Sequence, residues 1–325
     1  MSTAAAELRS QRFVAAVPDL ERIEAMPLLA EIDALKRARN AVVLAHNYQA
    51  PAIYHGVADF TGDSLALAQQ AARSEADVIV VAGVQFMAET AKLLNPTRLV
   101  LISSLAAGCS LAESISAADV RALRRRHPGV PVVSYVNTSA AVKAESDICC
   151  TSANALRIVE SLGVPKVIFL PDRYLGHHVQ QQTGIELVLW EGACEVHERF
   201  TGAQLRGLRR DHPGLQIVAH PECPPEVLAE ADFVGSTQGM VDHLARSKPA
   251  QVVLITECSM SDNVAGEFPE IRFVRPCNLC PHMRQITLAG IRDALRDLRH
   301  EVTLPAEIIA PARRALERML AVGRA

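Results

Sequence analysis

Ala41-Val42-Val43-Leu44-Ala45 runs straight into His46-Asn47-Tyr48, five small or apolar residues followed by three that carry chemistry. The apolar run is short, rich in β-branched residues and bounded by polar ones, which predicts a buried strand. Two later stretches read the same way. Val132-Val133-Ser134-Tyr135 leads into Val136-Asn137-Thr138, and Gln216-Ile217-Val218-Ala219 leads into His220-Pro221-Glu222.

The likeness extends past these strands in both directions. An acidic residue follows each, Asp59, Asp147 and Asp232, and five positions beyond each acid stands a hydroxyl, Ser64, Ser152 and Thr237, opening a helical stretch. A second strand then recurs as Val78–Val81, Val167–Leu170 and Val252–Ile255, and a third as Leu99–Ile102, Glu186–Leu189 and Ile271–Val274. Each copy closes on a short loop holding a cysteine: Cys109, Cys194 and Cys280. Matching landmarks lie about 85–90 residues apart, too long a period for a solenoid. They predict an α/β protein of three similar β-α-β-α-β, Rossmann-like domains with parallel sheets about a pseudo-threefold axis. The expected division is an N-terminal helical segment 1–39, repeats at 40–115, 116–202 and 203–285, and a C-terminal helical segment 286–325. Within the first segment, residues 20–39 read as an amphipathic helix with Leu20, Ile23, Leu28, Leu29, Ile32 and Leu35 apolar; the last helix is expected from about Ile286 to Val302.

Composition narrows the function. The 325 residues include 33 Lys+Arg and 36 Asp+Glu, a net charge of −3, which argues against a nucleic-acid footprint. The basic runs Arg124-Arg125-Arg126 and Arg209-Arg210 precede the turns His127-Pro128-Gly129 and His212-Pro213-Gly214, and read as solvated helix ends. No apolar run approaches the ~18–20 residues of a membrane span. Met1–Gln11 has no apolar signal core, so a cytoplasmic protein is expected. Eight cysteines in this length are too sparse for a disulfide scaffold.

Ligands of parallel α/β units bind beyond the carboxyl ends of strands. His46, Tyr48, Tyr135, Asn137, His220, Glu222 and the three loop cysteines all follow strands, so three units packed with those ends inward bring them to one central cavity. Three thiolates suit zinc or an iron–sulfur cluster. Structural zinc asks for a fourth ligand, usually from a local pair, and Cys277-x-x-Cys280 has no second pair to match. Three ligands on a four-iron cluster leave one iron open as a Lewis acid. Ser64, Ser152 and Thr237 stand where N-caps stand, and a helix N-terminus is also an anion site.

The motifs His46-Asn47-Tyr48-Gln49, Gly62-Asp63-Ser64, Tyr135-Val136-Asn137, Cys150-Thr151-Ser152-Ala153-Asn154, Trp190 through His197, His220-Pro221-Glu222-Cys223, Gly235-Ser236-Thr237 and Cys280-Pro281-His282-Met283 resemble the quinolinate synthase A family of bacterial NAD biosynthesis, over roughly residues 25–300. The resemblance implies a transferase that condenses iminoaspartate with dihydroxyacetone phosphate to quinolinate, releasing phosphate and two waters. It implies one [4Fe–4S] cluster per chain on Cys109, Cys194 and Cys280, with one iron open to substrate. It implies Glu222 as general acid/base, Tyr48 and His197 as catalytic groups near the reacting carbons, and Tyr135, also catalytic, with Asn137 facing the open iron and the bound intermediate; His46, Ser64, Ser152, His220, Ser236 and Thr237 hold substrate together with Tyr135, Asn137 and Glu222. It also implies a functional link to an L-aspartate oxidase or dehydrogenase supplying iminoaspartate. Some members carry Cys-x-x-Cys-x-x-Cys near the C-terminus. This chain keeps Cys277 and Cys280 only, and Cys280 is matched to the ligand because Pro281 and Met283 follow it. The competing expectation is a zinc-dependent sugar-phosphate lyase or aldolase, and the lack of a histidine-rich ligand set weighs against it.

The other candidates read as structural. Cys149, Cys150, Cys223 and Cys258 are expected in packing, His177-His178 in a structural or surface role on a helix, Trp190 in a core, and Glu195 either behind the ligand cysteine it follows or at a contact between domains.

Overall fold

At Asn40, Gly129 and Gly214 the backbone takes positive φ, 46°, 78° and 80°, and each time a helix is turned into the first strand of a sheet. Glycine adopts that conformation without strain, and asparagine is among the residues that tolerate it. The computed structural model describes residues 11–323, so Met1–Ser10, the start of the predicted N-terminal segment, lie outside the described residues.

Three sheets follow, all parallel. The first contains β1 (Ala41–His46), β2 (Phe60–Gly62), β3 (Val78–Ala82) and β4 (Leu99–Ile102). The second contains β5 (Val132–Tyr135), β6 (Ile148–Cys150), β7 (Lys166–Leu170) and β8 (Glu186–Leu189). The third contains β9 (Gln216–Ala219), β10 (Phe233–Val234), β11 (Gln251–Ile255) and β12 (Arg272–Val274). The strand orders are β2-β1-β3-β4, β6-β5-β7-β8 and β10-β9-β11-β12, one topology three times. Every residue of β3 and β5 is buried, as befits parallel strands covered on both faces. The α/β class and the parallel sheets are as expected.

Each unit has one strand more than expected, an edge strand of two or three residues, too short to show a period. The acidic landmark starts it. The Asp59 N–H donates to Val43 O at 2.9 Å, and its Oδ2 accepts the Val43 N–H at 2.8 Å. Asp147 does the same with Val132, at 3.0 and 2.8 Å, and Asp232 with Ile217, at 2.8 and 2.7 Å. Each carboxylate thus joins the ladder where the new strand begins, and each meets a cation from the preceding helix. Lys36 Nζ lies 2.7 Å from Asp59, Arg124 Nη2 2.7 Å from Asp147 and Arg209 Nη2 3.2 Å from Asp232. The basic runs are therefore only partly solvated: Arg125, Arg126 and Arg210 face water, whereas Arg124 and Arg209 tie helix to sheet.

Two helical expectations are corrected. The helix Asp19–Ala38 buries Ala25, Ile32 and Lys36, while Leu20 and Ile23 are 70% and 71% exposed. The buried stripe has helical spacing and those two side chains fall off it. The helix expected to reach Val302 spans Leu288–Asp297 and stops at Leu298, whose φ is +50°. The chain then runs antiparallel along β4, with Ile102 N–H donating to His300 O at 3.2 Å and Val302 N–H to Val100 O at 2.9 Å. A last helix, Ala306–Val322, packs back on helix Ala140–Ala144 and on β6. No described helix is long and apolar enough to cross a membrane.

The three anchors form a graded series. Lys36 is almost fully buried and Asp59 mostly so, while the Arg209–Asp232 pair is about 40% exposed on both sides. Asp59→Ala removes the nearer and more buried of the two carboxylates beside the Lys36 ammonium, Asp33 lying at 3.6 Å, and should cost about 3 kcal/mol. Asp147→Ala and Asp232→Ala should cost about 1–2 kcal/mol each, chiefly for the abandoned strand N–H. Urea titrations of the three variants check the ranking; equal losses would contradict it.

Candidate active site

β1 ends in His46, β5 ends in Tyr135 and His220 follows β9, so matching strands deliver matching positions to one place. The carboxyl ends of all three sheets open on one cavity. The first sheet contributes His46, Tyr48, Ser64 and Cys109, the second Tyr135, Asn137, Ser152, Cys194 and His197, the third His220, Glu222, Thr237, Glu257 and Cys280.

A repeated local turn orients two of the histidines. Tyr48 N–H donates to His46 Nδ1 at 3.2 Å, and Glu222 N–H donates to His220 Nδ1 at 3.4 Å. With Nδ1 accepting, the ring proton stands on Nε2. In His220 that nitrogen lies 3.2 Å from Ser152 Oγ. Burial lowers both rings, His46 to about 4 against the charges of Asp63 and Glu222, and His220 to about 3 against that of Glu222. At neutral pH both are uncharged donors.

Glu222 is the centre of the polar network and is 3% exposed. Tyr135 Oη donates to its Oε1 in a short hydrogen bond, and His197 Nδ1 lies 2.9 Å from its Oε2. Burial by itself would push the carboxyl up. His220 and His197, with the bond from Tyr135, outweigh it and hold the group well below the usual carboxylate range. Burial and the Glu222 charge raise the Tyr135 and Tyr48 phenols, so both keep their protons. On its other side His197 Nε2 lies 2.9 Å from Thr256 Oγ1, which is 2.6 Å from Tyr48 Oη. The chain Tyr135–Glu222–His197–Thr256–Tyr48 therefore crosses all three units. The His197 and His220 rings stack at 4.7 Å between centroids.

The three loop cysteines share this cavity, each half-buried. Burial pushes the Cys109 thiol up to about 12 and raises Cys194 and Cys280 as well. Ser110 Oγ donates to Ala193 O at 3.4 Å and accepts the Glu195 N–H at 3.2 Å, joining the first cysteine loop to the second. Glu195 Oε1 lies 3.1 Å from His282 Nε2, joining the second to the third, a contact between units as expected. Glu257 accepts the Cys280 N–H at 3.4 Å, and burial pushes its carboxyl up to about 7.

The helix starts differ by one or two positions from expectation. Asp63, not Ser64, caps Ser64–Arg73, accepting the Ala66 N–H at 2.8 Å. Ser236, not Thr237, caps Thr237–Ser247, accepting the Gly239 N–H at 3.1 Å. Asn154 is the residue before helix Ala155–Ser161 and Ser152 lies two positions earlier. Ser64, Ser152 and Thr237 are thereby left to line the cavity, while Ser236 spends its hydroxyl on the cap.

Thr256 and Glu257 were not singled out from the sequence, although they follow β11 as His220 follows β9, and the strand-end rule would have found them. Cys258, expected in packing, instead forms a disulfide with Cys277, across 4.9 Å between Cα atoms. Cys149, Cys150 and Cys223 are fully buried in packing. The helix Arg173–Gln180 carries His177, whose ring meets Gln181 at 3.0 Å, and the Trp190 indole N–H donates to Ser114 O at 3.1 Å.

Comparison with known proteins agrees with this geometry. A family model described as Quinolinate synthetase A protein matches residues 30–321. Quinolinate synthase 2 of Mesorhizobium japonicum is 65% identical over 303 residues, covering 92% of this chain and 94% of its own. Quinolinate synthase of Agrobacterium fabrum is 64% identical over 288 residues, covering 89% and 84%. Quinolinate synthase of Caulobacter vibrioides is 56% identical over 303 residues, covering 92% and 82%. With a match that spans all three sheets and every residue lining the cavity, the chain belongs to the quinolinate synthetase A family of enzymes.

Proposed function

We propose that this chain is a cytoplasmic quinolinate synthase of NAD biosynthesis, condensing iminoaspartate with dihydroxyacetone phosphate and releasing phosphate and two waters. The observation that carries the reading is the meeting, in one cavity, of one thiol from each sheet with the Tyr135–Glu222–His197 proton network. An L-aspartate oxidase or dehydrogenase is the partner activity that would supply the imine.

The donor set suits a [4Fe–4S] cluster. Cys109, Cys194 and Cys280 come one from each unit to the same cavity, and burial makes their thiolates costly unless bonded to a cation. When bound there, the cluster supplies an open iron, a Lewis acid for a substrate hydroxyl or carboxylate. Substrate anions fall to the chain's own donors: the Ser64, Ser152 and Thr237 hydroxyls and the Nε2–H groups of His46 and His220. Glu222, ionised at neutral pH, takes a proton from the substrate carbon skeleton, and Tyr135 or His197 beside it shares that proton until it leaves with departing water. Tyr48, linked to His197 through Thr256, delivers or accepts a proton at the far side of the substrate. Burial of the whole network excludes bulk water, which would otherwise hydrolyse an imine.

A second reading has one observation in its favour. Ligand atoms of Cys194, His197 and Glu222 lie within 4.8 Å of one another, a sulfur, nitrogen and oxygen set of the kind that holds catalytic zinc. Metal analysis separates the two. Anaerobically reconstituted protein that is brown, carries iron and sulfide and forms quinolinate from the two substrates supports the synthase; a colourless protein with tightly bound zinc supports a lyase.

Glu222→Gln should bind both substrates yet lower quinolinate formation by roughly 10²–10⁴-fold, the usual worth of a general acid/base. Turnover near that of the unaltered protein refutes the role. Cys194→Ser should lose iron and visible absorption on anaerobic gel filtration while keeping its far-ultraviolet circular dichroism. The neutral, buried state of His46 and His220 makes stability depend on acid. Both rings titrate lower in the folded than in the unfolded chain, so their contribution is complete above the unfolded value of about 6.5 and is lost as pH falls from there toward about 4 and 3. Between pH 7 and 5 the cluster-free protein should lose about 3 kcal/mol through these two groups. The same urea series on His46→Gln/His220→Gln should show most of that slope removed.

A further inference from the structure

Tyr48 reaches the cavity from the first sheet, but what holds it comes from the third. Asn263 lies in helix Ser259–Ala265, which follows β11, and is fully buried. Its Nδ2 donates to Asn47 O at 2.9 Å and to Gln49 O at 2.8 Å, the two carbonyls that flank Tyr48. A primary amide has two N–H donors, and both are used here on one bend of chain. The bend is tight, with Gln49 N–H donating to His46 O at 3.0 Å, so both carbonyls are turned outward from it. The neighbouring contacts run the same way. Asn47 Nδ2 donates to Thr237 Oγ1 at 3.1 Å, Gln49 Nε2 lies 3.3 Å from the Met283 sulfur, and the Tyr48 phenol meets Thr256. Tyr48 is thereby held through the carbonyls on either side of it by Asn263 and at its ring tip by Thr256, seven residues apart in the third unit.

We propose that Asn263 is a positioning residue that sets the Tyr48 phenol in the cavity from across the boundary between the first and third sheets. The proposal rests on the synthase reading only for its kinetic test. Asn263 touches no substrate; it acts through Tyr48. Without it two buried carbonyls lose their donor, the 47–49 bend relaxes, and the phenol leaves its place against Thr256. A displacement near 1 Å in a positioned group costs about a hundredfold in rate.

The test uses the full chain, reconstituted anaerobically with iron and sulfide, as Asn263→Ala, Asn263→Asp, Tyr48→Phe and the double variant Asn263→Ala/Tyr48→Phe. Aspartate keeps the volume of asparagine and lacks its N–H groups, so it separates donation from packing and carries the test if the alanine variant does not fold. Both Asn263 variants should lower kcat about tenfold to a hundredfold at unchanged iron content. In the Tyr48→Phe background Asn263→Ala should cost less than about threefold more, because the residue it acts through is already disabled. Losses that multiply overturn the proposal, as does an Asn263→Asp enzyme with full kcat. Hydrogen exchange supplies a readout that needs no turnover. In the unaltered protein the amides of residues 47–49 should be protected to the level of helix 259–265, and Asn263→Asp should speed exchange at 47–49 selectively; fast exchange there before substitution sinks the idea. If the unaltered protein makes no quinolinate, the synthase reading fails while the exchange result still decides the role of Asn263.

Discussion

A single buried carboxylate sets the terms for the cavity. Glu222 has almost no solvent, and an unpaired carboxylate in such a place would protonate or pull the structure apart. It stays an anion because His220 and His197 stand beside it and Tyr135 donates to it, the last two brought from the second unit against its two oxygens. Those partners need partners in turn, which is why the hydrogen-bond chain runs on through Thr256 to Tyr48. Satisfying one charge therefore recruits residues from all three sheets, and the packing of the units and the chemistry of the cavity become one requirement.

The scaffold that meets this requirement is repeated, and its repetition is physical rather than decorative. Each unit uses an aspartate to start an edge strand and a cation from the preceding helix to neutralise it. Each unit turns from helix to strand through a residue with positive φ. What the repeat leaves free is the residue just past each strand. There the units diverge: histidine and tyrosine in the first, tyrosine and asparagine in the second, histidine and glutamate in the third. One topology thus presents three different sets of side chains to one space, and only their sum makes the hydrogen-bonded network with three thiols beside it.

How far this could be read in the sequence depends on the range of the interaction. The long strands were legible because a run such as Val78–Val81 can be little else than buried β-structure. The edge strands were not, since Phe233–Val234 is two residues long and is held in place by Asp232. The helix starts were legible to within a residue or two, which was enough to locate the hydroxyls and too coarse to separate Asp63, the cap, from Ser64, the residue that faces the cavity. The basic runs were misread in part because Arg124 and Arg209 find their acids more than twenty residues away.

From the sequence alone came the class of fold, the threefold recurrence and the list of groups at strand ends, because each is carried by local pattern and by a rule about where parallel strands point. The tertiary structure alone decided which of those groups touch. That Glu222 lies between Tyr135 and His197, that Thr256 joins His197 to Tyr48, that Cys258 pairs with Cys277 and that Asn263 clamps the bend at Tyr48 are contacts between residues 19 to 216 positions apart. No periodicity encodes such separations. They are set by how three covered sheets pack, because most buried polar groups find their partners only in three dimensions.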